Sequence, residues 1–185
     1  MARTPVLNVT TLRRLRALPW ASDRQLEQLL PHLTLQRAER QATLFAEGEQ
    51  GHFLYLLIAG AAKLTLRSAE GEEILVSLIA PGEFFGITCL LSESSRGFHC
   101  EAFSDCWIAA IRPDTFVTTL LGVPFAEFSG FMSSTVSRWA ALLDRYSRFQ
   151  GLGLQQRLAF ALLELAQKFG VQDDRGTILV LQLTH

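Results

Sequence analysis

The chain has 185 residues, 49% of them hydrophobic, enough apolar material for a packed core and too much for a disordered protein. Seventeen Lys and Arg against eighteen Asp and Glu leave a net charge of −1, so no overall basic field draws the chain to nucleic acid, and any such contact is local or lies outside these residues. The most apolar stretch, "FLYLLIAGAA" from Phe53 to Ala62, falls short of the roughly 18 residues of a membrane span, and Cys89, Cys100 and Cys106 form no CxxC pair; a soluble, cytoplasmic protein with reduced, buried thiols is expected.

Two covering helices open the chain. "TLRRLRALP" is a short amphipathic segment, and Ser22 is placed to cap a helix whose Leu26, Leu29, Leu30 and Leu33 share one face. From Leu35 the period changes to short runs closed by glycine: "ATLFAEG", "FLYLLIAG", "AKLTLRS" and "EILVSLIAPG". "GFHCEAFSDCWIAAIRPD" adds two strands around a Ser104-Asp105 turn. The β region is expected to end near Ile111, because Pro113 suits a first helical turn. The predicted fold class is mainly β with helices, a jelly-roll followed by a long helix.

That helix starts at Pro124. Phe128, Met132, Thr135, Trp139, Leu142, Tyr146 and Phe149 recur in steps of three and four, a heptad seam over a helix of about 40 Å at the standard rise. Its length and strict spacing favour contact with a second chain, a homodimer, over packing on the chain's own barrel. Gly151 and Gly153 break it, "LQQRLAFALLELAQKFG" forms a second amphipathic helix stopped at Gly170, and "GTILVLQLTH" reads as a strand.

With these parts in order the chain resembles the Crp/Fnr family of bacterial transcription regulators. The resemblance rests on "LFAEGEQGHFLYLLIAGAAKL", similar to the family's pattern through Gly48, Tyr55 and Gly60. It rests also on "APGEFFG", and on "LQQRLAFALLELAQKFG" leading to "LTH". It implies a cyclic-nucleotide-binding-like double-stranded β-helix with N-terminal helices over residues 1–121, a dimerisation helix over 122–150, and the incomplete start of a winged helix-turn-helix domain over 151–185. The partners it implies are a second copy, DNA through a helix-turn-helix absent from this chain, and RNA polymerase in the full-length protein. No membrane is implied.

The resemblance also points to "GEFFGITCLLSESSRGFH", Gly82 to His99, as an anion cassette. Gly86, Ile87, Thr88 and Cys89 form the helix start whose amides favour an anion, Arg96 stands where a phosphate-gripping arginine belongs, and Gly97 follows it. Ile87 occupies the position where cyclic-nucleotide binders carry a ribose-holding glutamate. Arg138 on the long helix makes the pairing similar to the branch that senses 2-oxoglutarate, although that branch has a glutamate five residues on, where this chain has Leu143. The effector implied is a small anion, a cyclic nucleotide or a 2-oxoglutarate-like dicarboxylate, with cyclic AMP disfavoured. No other cofactor is implied.

The alternatives are plain. Arg96 as a surface arginine beside a loop, Arg138 paired with a nearby carboxylate, and a pocket filled by Phe84, Phe85, Ile87 and Leu75 would together describe a sensor without effector. A haem or redox sensor of the same family could draw on the cysteines with His52 and His99, but no four-cysteine set exists. No His-x-His pair or Ser-His-Asp set points to an enzyme, so no catalytic or metal residues are assigned.

Overall fold

The computed structural model describes residues 4–15, 18–19, 21–68, 70–90, 95–121, 125–174 and 176–179. Pro124, the middle of the cassette at 91–94 and the terminal residues 180–185 lie outside them, as do some helix side chains, including Phe128, Arg138 and Phe149.

Two short capped helices begin the fold. Asn8 accepts the Thr11 amide at 2.8 Å to start α1 (Val9–Arg14), and Ser22 caps α2 (Asp23–Leu29) as expected, through a reciprocal capping box with Gln25. Leu12, Leu26 and Leu29 are buried, with Leu30 and Leu33 packed against the same cluster.

Eight strands follow: β1 (Thr34–Ala38), β2 (Thr43–Phe45), β3 (Leu54–Ala59), β4 (Ala62–Arg67), β5 (Glu73–Ile79), β6 (Phe84–Phe85), β7 (His99–Ala102) and β8 (Cys106–Ile111). They form two antiparallel sheets ordered β1-β8-β3-β6 and β2-β7-β4-β5. The pairing is nested, first strand with last and inward, which is the signature of a double-stranded β-helix. The jelly-roll expectation therefore holds.

The alternation of side chains sorts the core into two layers. Along β3, Leu54, Leu56 and Ile58 join the cluster under α1, α2 and the later α3, while Tyr55 and Leu57 face the interior between the sheets. β8 divides the same way, Ala109 and Ile111 outward and Cys106 and Ile108 inward. Because the central strands β3 and β8 of the first sheet are covered on both faces, they read as continuous apolar runs, unlike its edge strand β1. The second sheet carries an ion-pair row instead, with Lys63 2.7 Å from Glu73 and 3.6 Å from Glu101.

After β8, Pro113 opens α3 (Pro113–Leu121), whose Phe116 is fully buried and sits 5.5 Å from the Phe84 ring. The chain divides into two compact units, residues 1–134 and 135–185. The long helix α4 (Phe125–Gly151) begins in the first and ends in the second. In the second unit α5 (Leu154–Phe169) follows, with Arg145 of α4 3.4 Å from Glu164 of α5. The Gly170 stop is as expected, but Gly170 then starts β9 (Gly170–Asp173), which pairs antiparallel with β10 (Gly176–Leu179). Only the second of these strands was anticipated.

Candidate functional site

The cassette begins where β6 ends. Gly86 adopts φ +70°, and a side chain there would stand 2.6 Å from Arg96 Nη1 and 3.2 Å from the Tyr55 ring, so glycine is required twice over. The expected helix start is a four-residue 3-10 turn, Ile87–Leu90, closed by the Cys89 amide donating to the Gly86 carbonyl at 3.3 Å.

Arg96 is a core cation with only 3% of its surface exposed, which removes the surface-arginine reading. Its backbone is pinned from both sides: its amide donates to the Glu49 carbonyl at 2.7 Å, and its carbonyl accepts the Gly48 amide at 2.8 Å. Nη1 donates to the Gly86 carbonyl and Nη2 to the Phe53 carbonyl at 2.6 Å. The guanidinium carbon lies 4.4 Å above the Phe45 ring and 5.5 Å from that of Tyr55, both cation–π distances. Nε, also buried, has no hydrogen-bond partner, and among the described residues no carboxylate lies within ion-pair distance.

The surroundings are aromatic. Tyr55 stacks on Phe85 at 5.3 Å and on Phe45 at 5.9 Å, with the half-open Phe53 ring 6.4 Å away. Burial raises the Tyr55 hydroxyl above its ordinary pKa despite the opposing charge of Arg96, and burial likewise raises the Cys89 thiol, with Arg96 again pulling the other way.

The structure brings Gly86, Cys89 and Arg96 together. Ile87 packs into the layer under the helices, Thr88 is half-buried, and Gly97 is exposed with open space around its α-carbon. Of the four side chains that could have filled the roll, Phe85 does so; Phe84 and Ile87 turn to the outer layer and Leu75 is 45% exposed. Arg138 belongs to the second unit and its side chain lies outside the described residues. Sequence reading missed Phe45, Gly51 and the Phe53 carbonyl. Only the alternation of Phe53 and Tyr55 on one strand face offered a signal.

On α4, Met132, Trp139 and Tyr146 of the expected seam are exposed, while Thr135 and Leu142 are half-buried. The side chains of Phe128 and Phe149 lie outside the described residues. Val136 and Leu143 are exposed by 58% and 69%, and with Met132, Trp139 and Tyr146 they step by four and three along one face.

The thiols are poor metal or redox groups here. All three are buried, and burial pushes Cys106 up to about 11 and Cys100 further up, so both are protonated at neutral pH. No cluster of three or more His, Cys, Asp or Glu side chains suited to a metal occurs among the described residues, and no helix of the described residues is long and apolar enough to cross a membrane.

Comparison with known proteins agrees with this geometry. The cyclic nucleotide-binding domain family matches residues 35–121. The global nitrogen regulator of Synechococcus elongatus is 29% identical over 158 residues, covering 83% of this chain and 69% of that protein. The CRP-like cAMP-activated global transcriptional regulator of Mycobacterium tuberculosis is 28% identical over 149 residues, covering 79% of this chain and 63% of its own length. In fold, the c-di-GMP responsive global regulator CLP of Xanthomonas campestris superposes with a TM-score of 0.67 at 19% identity, over 84% of this chain and 78% of that one. The chain thus spans about two thirds of the curated relatives' length, and those relatives are regulators rather than enzymes. A nested β-roll with a glycine-and-arginine cassette, matched over 35–121 by that domain family, identifies a cyclic nucleotide-binding regulatory domain of the kind carried by CRP-family transcription regulators.

Proposed function

We propose that this chain senses a small anion at the cassette formed by Gly86, Ile87, Thr88, Cys89, Arg96 and Gly97, and transmits its binding to a homodimer that positions DNA-binding domains. One observation carries the reading: Arg96 is a cation buried in the roll with an unpartnered Nε and no described carboxylate to neutralise it. Burying such a charge is costly, and an anion at the cassette supplies the missing compensation. The backbone amides of the turn are the other groups assigned to the effector.

The effector is not cyclic AMP gripped through its ribose. Ile87 is apolar and packs into the outer layer, so it accepts no ribose hydroxyl. A 2-oxoglutarate-like dicarboxylate or another small anion fits the remaining donors. Dimerisation is assigned to the exposed face of α4, and the DNA contact to a winged helix-turn-helix of which α5 and the β9-β10 hairpin form the start. For the signal to pass, the anion must bind one arrangement of paired α4 helices better than another.

A thermal-shift comparison of cyclic AMP, cyclic GMP and 2-oxoglutarate tests this. The true effector at about a hundred times its Kd stabilises the protein by roughly 2.7 kcal/mol. Arg96→Ala should remove that shift. A full shift retained by the variant defeats the site.

A further inference from the structure

Five features converge on the Arg96 side chain. The Gly86 and Phe53 carbonyls accept from its terminal nitrogens, and the Phe45 and Tyr55 rings cover its face. Gly51 leaves room for it: a β-carbon there would stand 3.1 Å from Arg96 Cζ, 3.2 Å from Nε and 3.1 Å from the Cys89 β-carbon. These are contacts within the chain, made by the same nitrogens that a carboxylate or phosphate would take in a bidentate grip. The two N–H groups given to protein carbonyls must leave them before they serve a ligand, and the guanidinium keeps three others, Nε–H among them.

We propose that this socket is a latch: the carbonyls of Gly86 and Phe53 compete with the anionic effector for Arg96, and binding exchanges one set of acceptors for the other. The inference rests on the reading that Arg96 takes an anion. The latch ties two separated segments to one side chain, through Phe53 just before β3 and Gly86 just after β6. Its release therefore changes the restraint on both at once. The free energy of latching subtracts from effector affinity, as it does for any ligand that binds a less populated arrangement.

Gly51→Ala separates this idea from the simpler one. Gly51 does not occupy the left-handed region, so alanine fits its backbone, and the added methyl crowds latched Arg96 as well as the Cys89 β-carbon, so the change in probe affinity is the reading that bears on the latch. The expected result, with cyclic AMP, 2-oxoglutarate and inorganic phosphate as probes in calorimetry, has two parts. The variant melts a few degrees lower without any probe, and it binds the probe that wild type binds about three to ten times more tightly. Unchanged or weaker binding by Gly51→Ala, with binding still dependent on Arg96, overturns the latch and leaves the anion reading standing. Binding that is indifferent to Arg96→Ala, or no binding of any probe by wild type or variant, overturns both. If Gly51→Ala fails to fold, Phe45→Leu takes its place: it removes one π face of the socket and is expected to tighten binding in the same direction, with unchanged affinity counting against the latch.

Discussion

The roll and the segment that follows it use the same apolar residues to different ends. Every buried hydrophobic residue among those described lies between Leu12 and Phe116. Beyond Phe116 the pattern inverts: Trp139 and Tyr146 on α4, Leu154, Leu158 and Leu162 on α5, and Val171 and Ile178 in the hairpin are all exposed. Helix α2 has seven residues and buries Leu26 and Leu29, whereas α5 has sixteen and buries none. Amphipathic spacing makes a helix, but only a facing surface turns its apolar stripe into stability.

That contrast can be broken or sharpened by substitution. The largest effect is expected at Phe116→Ala, which empties a fully buried ring site against Phe84 and should cost about 3–5 kcal/mol in urea unfolding. A cost below about 1 kcal/mol would mean that the layer under the helices is not the core it resembles. Next comes Leu143→Glu on the exposed face of α4. The roll should unfold as before, while self-association, followed by sedimentation, weakens by roughly thirtyfold, equivalent to about 2 kcal/mol at an interface centre. An unchanged sedimentation profile would count against the proposed dimer contact on this face. The smallest is Ser22→Ala, which removes the capping box of α2 and should lower roll stability by about 1 kcal/mol without altering association.

Much of the roll was legible because local chemistry decided it. Ser22 and Pro113 opened helices where their side chains require it, glycine closed the strand runs, and Gly170 ended α5. The hairpin partner β9 was not, since "GVQD" has no alternation strong enough to mark a strand; it forms by pairing with β10. At the cassette, spacing located Gly86 and Arg96 but could not orient them. Whether an arginine points to solvent or into a socket depends on Gly51, Phe45 and a carbonyl 43 residues away, none of which is local to it. The face of α4 was likewise ambiguous, because Thr135 and Val136, or Leu142 and Leu143, satisfy heptad spacing almost equally.

β6 is only two residues long, yet Phe84 and Phe85 turn to opposite sides, one against Phe116 among the helices and the other against Tyr55 and Phe45 inside the roll. The strand acts as a rivet driven through both layers, with its head at Gly86. A twist of the cassette cannot be absorbed on one side alone: the helical cover and the inner barrel must register it together.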